Sequence, residues 1–312
     1  MTVNTVLYAI LNPLFALFLA PLLLGLVKKV KALMQGRHGP PLLQQYYQLS
    51  KLFHKEIIYS SDSSYIMRIS PYLGIVFMLT AALFVPMLFI PQTAWFGNIV
   101  LFFYLMVTAK FFMALGGLDA GSTFGGMGSS REMTVSSIIE PVTIMACAAL
   151  AFVLKTTSIP AMFSTLLAGS IFSYPTLILV GISLFIILIV ESARVPVDNP
   201  ETHLELTMIH EAMILEQSGP KLALTELASG VKQVMLMALL INVTFPWGLS
   251  TGTGLAQLLL VAASMVVKLC VLAVTVGVFE SLLAKIRFFR LPDFFMLALF
   301  LSFITIVFEL LT

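Results

Sequence analysis

Long, nearly unbroken apolar runs, separated by short charged segments, decide what this 312-residue chain can fold into. A run of about 20 apolar residues, wound as an α-helix, matches the ~30 Å hydrocarbon core of a bilayer. Inside lipid a backbone must satisfy its own hydrogen bonds, so only helices and closed barrels cross it. A barrel strand alternates apolar and polar residues over about ten positions, and these runs do not alternate. With 59% hydrophobic and only 10% charged residues and a mean hydropathy of +1.03, the chain reads as an all-α polytopic membrane protein. It forms a single transmembrane domain over residues 1–312.

Eight spans are predicted, over residues 5–27, 70–90, 97–117, 135–154, 174–191, 231–249, 256–283 and 292–311. Between the fourth and fifth, SIPAMFSTLLAGSIFS is apolar but short and reads as an interfacial segment. No internal repeat is evident, which argues against an inverted-repeat transporter. No Lys or Arg precedes the first run and Lys28, Lys29 and Lys31 follow it, the reverse of the order in a signal peptide.

The basic residues orient these spans. Lys28, Lys29, Lys31, Arg37, Lys51, Lys55, Arg68, Arg131, Arg194, Lys221, Lys232, Lys285, Arg287 and Arg290, fourteen of the seventeen, fall on one side. Lys155 falls on the other, and Lys110 and Lys268 lie within spans. The positive-inside rule places the basic side in the cytoplasm, in the inner membrane of the cell, with both termini outside. Two long cytoplasmic loops follow, 28–69 and 192–230, and all four histidines share that side. No nucleic-acid partner is expected.

The second loop is unusual. Residues 191–211, ESARVPVDNPETHLELTMIHE, hold Glu191, Asp198, Glu201, Glu205 and Glu211, five of the fifteen carboxylates, and Glu216 follows. Pro196 and Pro200 forbid continuation of the fifth helix. After them ETHLELTMIHEAMILEQ has helical periodicity, with Glu201 and Glu205 on one face and Leu204, Met208 and Ile209 as an apolar stripe. The pattern fits a surface amphipathic helix with solvated acids, or an acid-lined path into the membrane. A helical zinc site needs a second His four residues after the first, and HEAMI places Ile214 there, so no metal site is expected. GGLDAGSTFGGMGSSRE lacks the Lys of a phosphate loop, and its six glycines serve tight turns or close helix approach. Cys147 and Cys270 lie in apolar runs and are too few to hold an iron–sulfur cluster.

Charges inside spans say more. Glu140, Glu280, Lys110 and Lys268 would be costly in lipid and belong against protein or a water-filled path. Snorkelling is the plain alternative for the lysines and a structural ion pair for the acids; taken together the four favour a proton path.

The acidic loop, with Glu191, Arg194, Pro196, Asp198, Glu201, Glu205, Glu216 and Ser218-Gly219, resembles that of the eight-helix membrane subunit of respiratory complex I. QGRHGPPLLQQYYQLSKLFHKE, residues 35–56, looks like that family's basic segment. LDAGSTFGGMGSSREMTVSSIIEP, residues 118–141, resembles the related subunit of energy-converting nickel–iron hydrogenases of the formate hydrogenlyase type. Ala193, Val197 and Gln217 stand where complex I members usually carry Asn, Phe and Tyr, which turns the reading away from quinone. The resemblance implies a coupling subunit without redox chemistry or cofactor of its own. Its partners would be a hydrogenase-like large subunit, iron–sulfur subunits and antiporter-like membrane subunits, the nickel–iron site and clusters residing in those partners. The path would comprise Glu140, Glu191, Asp198, Glu201, Glu205, Glu211, Glu216 and Glu280, with Lys110 and Lys268. Arg37, Gly39, Pro40, Lys51, Lys55 and Arg194 would form the partner-facing or quinone-like loop surface, and a cavity is allowed between the two loops. The alternatives are the quinone-site subunit of a complex I-like oxidoreductase and a stand-alone secondary transporter.

Overall fold

The computed structural model describes residues 3–91, 97–169, 174–198, 208–249 and 254–311. Helices account for most of them: α1 (Val3–Met34), α2 (Gln44–Phe53), α3 (Tyr65–Ala82), α4 (Ile99–Asp119), α5 (Thr123–Val153), α6 (Ile159–Ala168), α7 (Leu177–Glu191), α8 (His210–Ile214), α9 (Gly219–Thr244), α10 (Leu255–Leu282) and α11 (Leu291–Leu311). Seven of them, α1, α3, α4, α5, α9, α10 and α11, are long and apolar enough to cross a membrane.

The fifth expected span is shorter. α7 has 15 residues, roughly 22 Å of helix at 1.5 Å per residue, less than a bilayer core. It packs against α5, α9 and α11 and is buried on nearly every residue from Ser183 to Glu191, so protein, not lipid, receives its end. α9 is the central element: every residue from Gly230 to Val243 is buried. A helix enclosed on all sides is expected to be apolar all round, yet this stretch holds Lys232, Gln233 and Asn242.

Span two differs from expectation in its second half. α3 ends at Ala82, and residues 83–91 continue as irregular, buried backbone. Pro86 and Pro91 bar a helix there. The freed backbone groups are satisfied by side chains of other helices. Asn12 donates to Ala82 O (2.6 Å) and Val85 O (2.8 Å) and accepts from Met87 N (3.0 Å). Asn242 donates to Pro86 O (2.7 Å), and the Tyr8 hydroxyl to Leu83 O (2.9 Å). Irregular backbone at such depth is tolerated only when enclosed by protein in this way.

Three other boundaries move toward the basic end. α1 runs on through Lys28, Lys29 and Lys31, and α9 begins before Lys221 and Lys232, so these charges sit on helices and not in loops. α5 begins at Thr123, capped by the Ser122 hydroxyl accepting from Gly125 N (3.0 Å), so most of the glycine-rich stretch is helix. Its glycines allow close approach: a Cβ at Gly128 would stand 2.7 Å from Met213 N, and one at Gly117 2.6 Å from the Met213 side chain. That contact seats α8 on α4 and α5. Asp119 caps α3 by accepting from Ser64 N and Met67 N (both 2.9 Å). The expected interfacial segment is α6, whose Ile159, Met162, Phe163 and Leu166 are buried. Of the amphipathic helix expected over 201–217, the described part holds only the single turn α8; Met208 and Ile209 are buried as an apolar stripe requires.

Candidate ion-path site at the basic end of the bundle

The polar heart of the molecule begins where α7 stops. Glu191 is its last residue, and the chain turns through Ala193, whose φ of 49° reverses its direction and sends Arg194 back into the bundle. Three ion-paired groups result. Glu191 lies between Lys110 of α4 (2.7 Å) and Lys232 of α9 (3.5 Å). Glu280 of α10 lies between Arg194 (3.3 Å) and Lys31 of α1 (3.6 Å), and Arg194 also donates to Gln233 of α9 (3.0 Å). Asp198 pairs with Lys285, just beyond α10 (2.8 Å), and accepts from Ile209 N (3.0 Å) and His210 N (3.2 Å), fixing the start of α8.

Lys31, Lys110, Glu191, Arg194, Lys232 and Glu280 are each under a tenth exposed. Charges so enclosed persist only when paired or beside water. Both conditions are met. A chamber of about 110 Å³, room for several waters, is lined by Glu191, Arg194, Lys232 and Gln233, by Gln45 and Gln48 of α2, by Lys28 of α1, and by Glu211 and Glu226. Ser192 Oγ and Gln233 Nε2 line it without a protein hydrogen-bond partner, which a chamber water would supply. Both Glu280 oxygens are within ion-pair reach of cations, but neither contact has hydrogen-bond geometry. The Glu280 carboxylate is therefore held by charge, and less rigidly than Glu191, which accepts a true hydrogen bond from Lys110 (2.7 Å).

The structure sorts the expected residues. Glu191 with Lys110, Glu280 with Arg194, and Asp198 fall in the three ion-paired groups at this end, and Glu211 lines the chamber. Glu140 is half-buried on α5, with Lys110 and Glu191 as electrostatic neighbours. Glu216 is half-buried and does not line the chamber. Glu201 and Glu205 lie outside the described residues. Lys268 stands apart: its ammonium donates to Phe245 O (2.9 Å) and Trp247 O and lies 5.5 Å over the Trp247 ring, capping the C-terminal end of α9. Arg37, Lys51 and Lys55 are exposed, and Gly39 turns with φ of 65° before Pro40. The expected inter-loop cavity exists, but α2 lines it with Gln45 and Gln48, not with its basic residues.

Sequence reasoning missed four participants. In the sequence Lys31 and Lys232 serve only to orient the spans, and Glu226 and Gln48 do not stand out. Gln48 Nε2 donates to both Glu226 oxygens (3.1 and 3.3 Å), tying α2 to α9 at the chamber wall. The available signal was helical spacing: Glu226, Ser229 and Lys232 recur every three residues, which puts them along one strip of α9. Among the described residues no group of three or more His, Cys, Asp or Glu side chains is arranged to hold a metal ion.

Residues 6–310 match the family described as NADH dehydrogenase. The chain belongs to the NADH dehydrogenase family. Within the curated relatives of this family member, hydrogenase-4 component C of Escherichia coli (strain K12) is 31% identical over 287 residues, covering 91% of this chain and 89% of the relative. Formate hydrogenlyase subunit 4 of the same organism is 29% identical over 287 residues, covering 91% and 92%. The fold is similar to a chain in the structure of the membrane-bound sulfane sulfur reductase, an archaeal respiratory membrane complex. That match has a TM-score of 0.83 at 19% identity and covers 98% of this chain and 100% of the other.

Proposed function

We propose that this family member is the membrane anchor and coupling subunit of an energy-converting hydrogenase complex. It links electron transfer in a peripheral arm to translocation of protons or sodium ions. The observation that carries the reading is the buried ion-paired charge around Glu191, Arg194 and Glu280, set beside a chamber with room for several waters at the loop-rich end. Ion pairs of this kind are poor sources of stability compared with apolar packing, and inside a membrane they mark ion paths. The named relatives, a hydrogenase-4 component and a formate hydrogenlyase subunit, support the choice of complex.

On this reading the basic end faces the cytoplasm, both termini face outward, and the chain lies in the cytoplasmic membrane. A hydrogenase-like large subunit and iron–sulfur subunits dock on the loops, and antiporter-like subunits adjoin the bundle. The nickel–iron site and clusters belong to those partners. The chain's own part is electrostatic. A change of charge or position at the docked arm alters the field at Glu191 and Glu280 and the balance of each with its paired cations. Glu140, on the membrane side of Lys110, receives the consequence.

The test is to purify the complex through a tag on this chain. A nickel-containing assembly that evolves or oxidises hydrogen without added quinone supports the reading. Strict quinone dependence promotes the complex I-like alternative, and ion transport by the isolated chain promotes the transporter.

A further inference from the structure

Two cavities meet at a partition of three residues. The chamber described above and a smaller one of about 10 Å³, room for about one water, share three lining residues: His210, Ser229 and Lys232. The smaller cavity continues to Lys110 of α4 and Glu132 of α5, with apolar walls from Met78, Ala109 and Met113. Lys232 thus stands in the partition between a polar chamber and a small cavity that holds another carboxylate.

Its ion pairing differs from that of Lys110. Both lysines share Glu191, but Lys110 makes a 2.7 Å hydrogen bond to one oxygen and Lys232 reaches the other only at 3.5 Å. One carboxylate is shared by two enclosed ammonium groups. The remaining charged or titratable groups lining the two cavities with Lys232 are Glu132 of α5, His210 and Glu211 of α8, Arg194 and Asp198 after α7, Lys28 of α1, and Glu226 on its own helix. A second enclosed cation held by half of one anion is costly to keep charged, so the less tightly held ammonium is the one that releases a proton.

We propose that Lys232 carries a transferable proton across this partition, alternating between ammonium and neutral amine. The proposal rests on the ion-path reading above and names the group that performs one step of it. In the forward step an Nζ–H bond of Lys232 breaks as an O–H bond forms on the Glu132 carboxylate, through one water in the smaller cavity. Lys232 becomes neutral, Glu132 becomes neutral, and no net charge is created in the enclosed region. Lys232 then takes a proton from a chamber water on the opposite side. His210, which lines both cavities, is placed to relay either transfer.

The test uses the assembled complex in sealed vesicles and reads protons taken up per electron passed to an artificial dye, for Lys232→Arg and, in parallel, Glu140→Gln. Arginine keeps the positive charge beside Glu191 but holds its proton at every accessible pH. The proposal predicts at least a tenfold fall in the ratio for Lys232→Arg. A lysine that serves only as a counter-ion predicts an unchanged ratio, and that result overturns the proposal. Should arginine prevent assembly, Glu132→Gln takes its place: it leaves the Lys232–Glu191 pair intact and removes the accepting carboxylate, so the same fall in the ratio is predicted and an unchanged ratio overturns the proposal. Failure of both to assemble assigns this partition to packing and likewise overturns the proposal. If Glu140→Gln lowers the ratio while Lys232→Arg does not, the lysine step alone is wrong. If both leave it unchanged, the ion-path reading falls with it.

Discussion

Glu191→Gln removes the anion from between Lys110 and Lys232. At an effective dielectric of about 20, unit charges 2.7 and 3.5 Å apart attract by roughly 6 and 5 kcal/mol before desolvation is subtracted. Glutamine cannot neutralise either lysine and strands enclosed positive charge, so the expected loss of stability is that of breaking a buried pair, about 3–5 kcal/mol. At about 2 °C per kcal/mol for a chain of this size, the solubilised protein should lose roughly 6–10 °C in its unfolding temperature. Removing the whole triad has the opposite effect. Lys110→Met, Glu191→Leu and Lys232→Met combined remove the whole enclosed triad, and replacing a buried ionic group by apolar residues of similar volume is neutral or stabilising. The triple variant should therefore unfold at or above the wild-type temperature and still fail in ion uptake. Thermal unfolding of the purified, detergent-solubilised protein reads both. A Glu191→Gln variant as stable as wild type, or a triple variant less stable than Glu191→Gln, would refute the view that these three side chains are charged and kept for function.

Other outcomes follow from single contacts. Asn12→Leu should lower stability by about 3 kcal/mol or more, since it strands two carbonyls and one amide of the buried irregular segment; thermal unfolding of the solubilised protein checks it. Lys268→Met should weaken the α9 cap and leave protons per electron unchanged, because among the described residues the ammonium bonds to the Phe245 and Trp247 carbonyls; a lost ratio would return Lys268 to the path. In a background without the native cysteines, an impermeant thiol reagent applied from outside should label a cysteine at position 2 and not one at position 50. The reverse pattern would invert the orientation.

Membrane class, helix positions and the convergence of acids were legible because apolar length and charge placement are local properties of the chain. Glu191, Arg194, Asp198 and Glu280 stood out as charges in or beside apolar runs. Their cations did not. Lys31 and Lys232 read as loop charges because hydropathy drops near a helix end whether the lysine is solvated or enclosed. Only the packing of α1 and α9 against neighbours decides which. The break in α3 was signalled by Pro86 and Pro91, but the apolar residues around them disguised it as span. Its stabilisation by Asn12 and Asn242 rests on contacts between residues 70 or more positions apart. The short α7 shows the converse: its apolar run continued only to Glu191, and its enclosure by three helices, invisible in sequence, lets 15 residues suffice.

The central claim is that enclosed carboxylates of this chain carry ions coupled to electron transfer, and Glu140 tests it most directly. It sits inside a span, its electrostatic neighbours are Lys110 and Glu191, and glutamine preserves its shape while removing the titrating proton. The measurement is proton or sodium uptake into sealed vesicles alongside dye-linked hydrogenase activity of the complex carrying Glu140→Gln. The account predicts an assembled complex that passes electrons to the dye while ion uptake per electron falls at least tenfold. Uptake at the wild-type ratio in a fully assembled complex would contradict it.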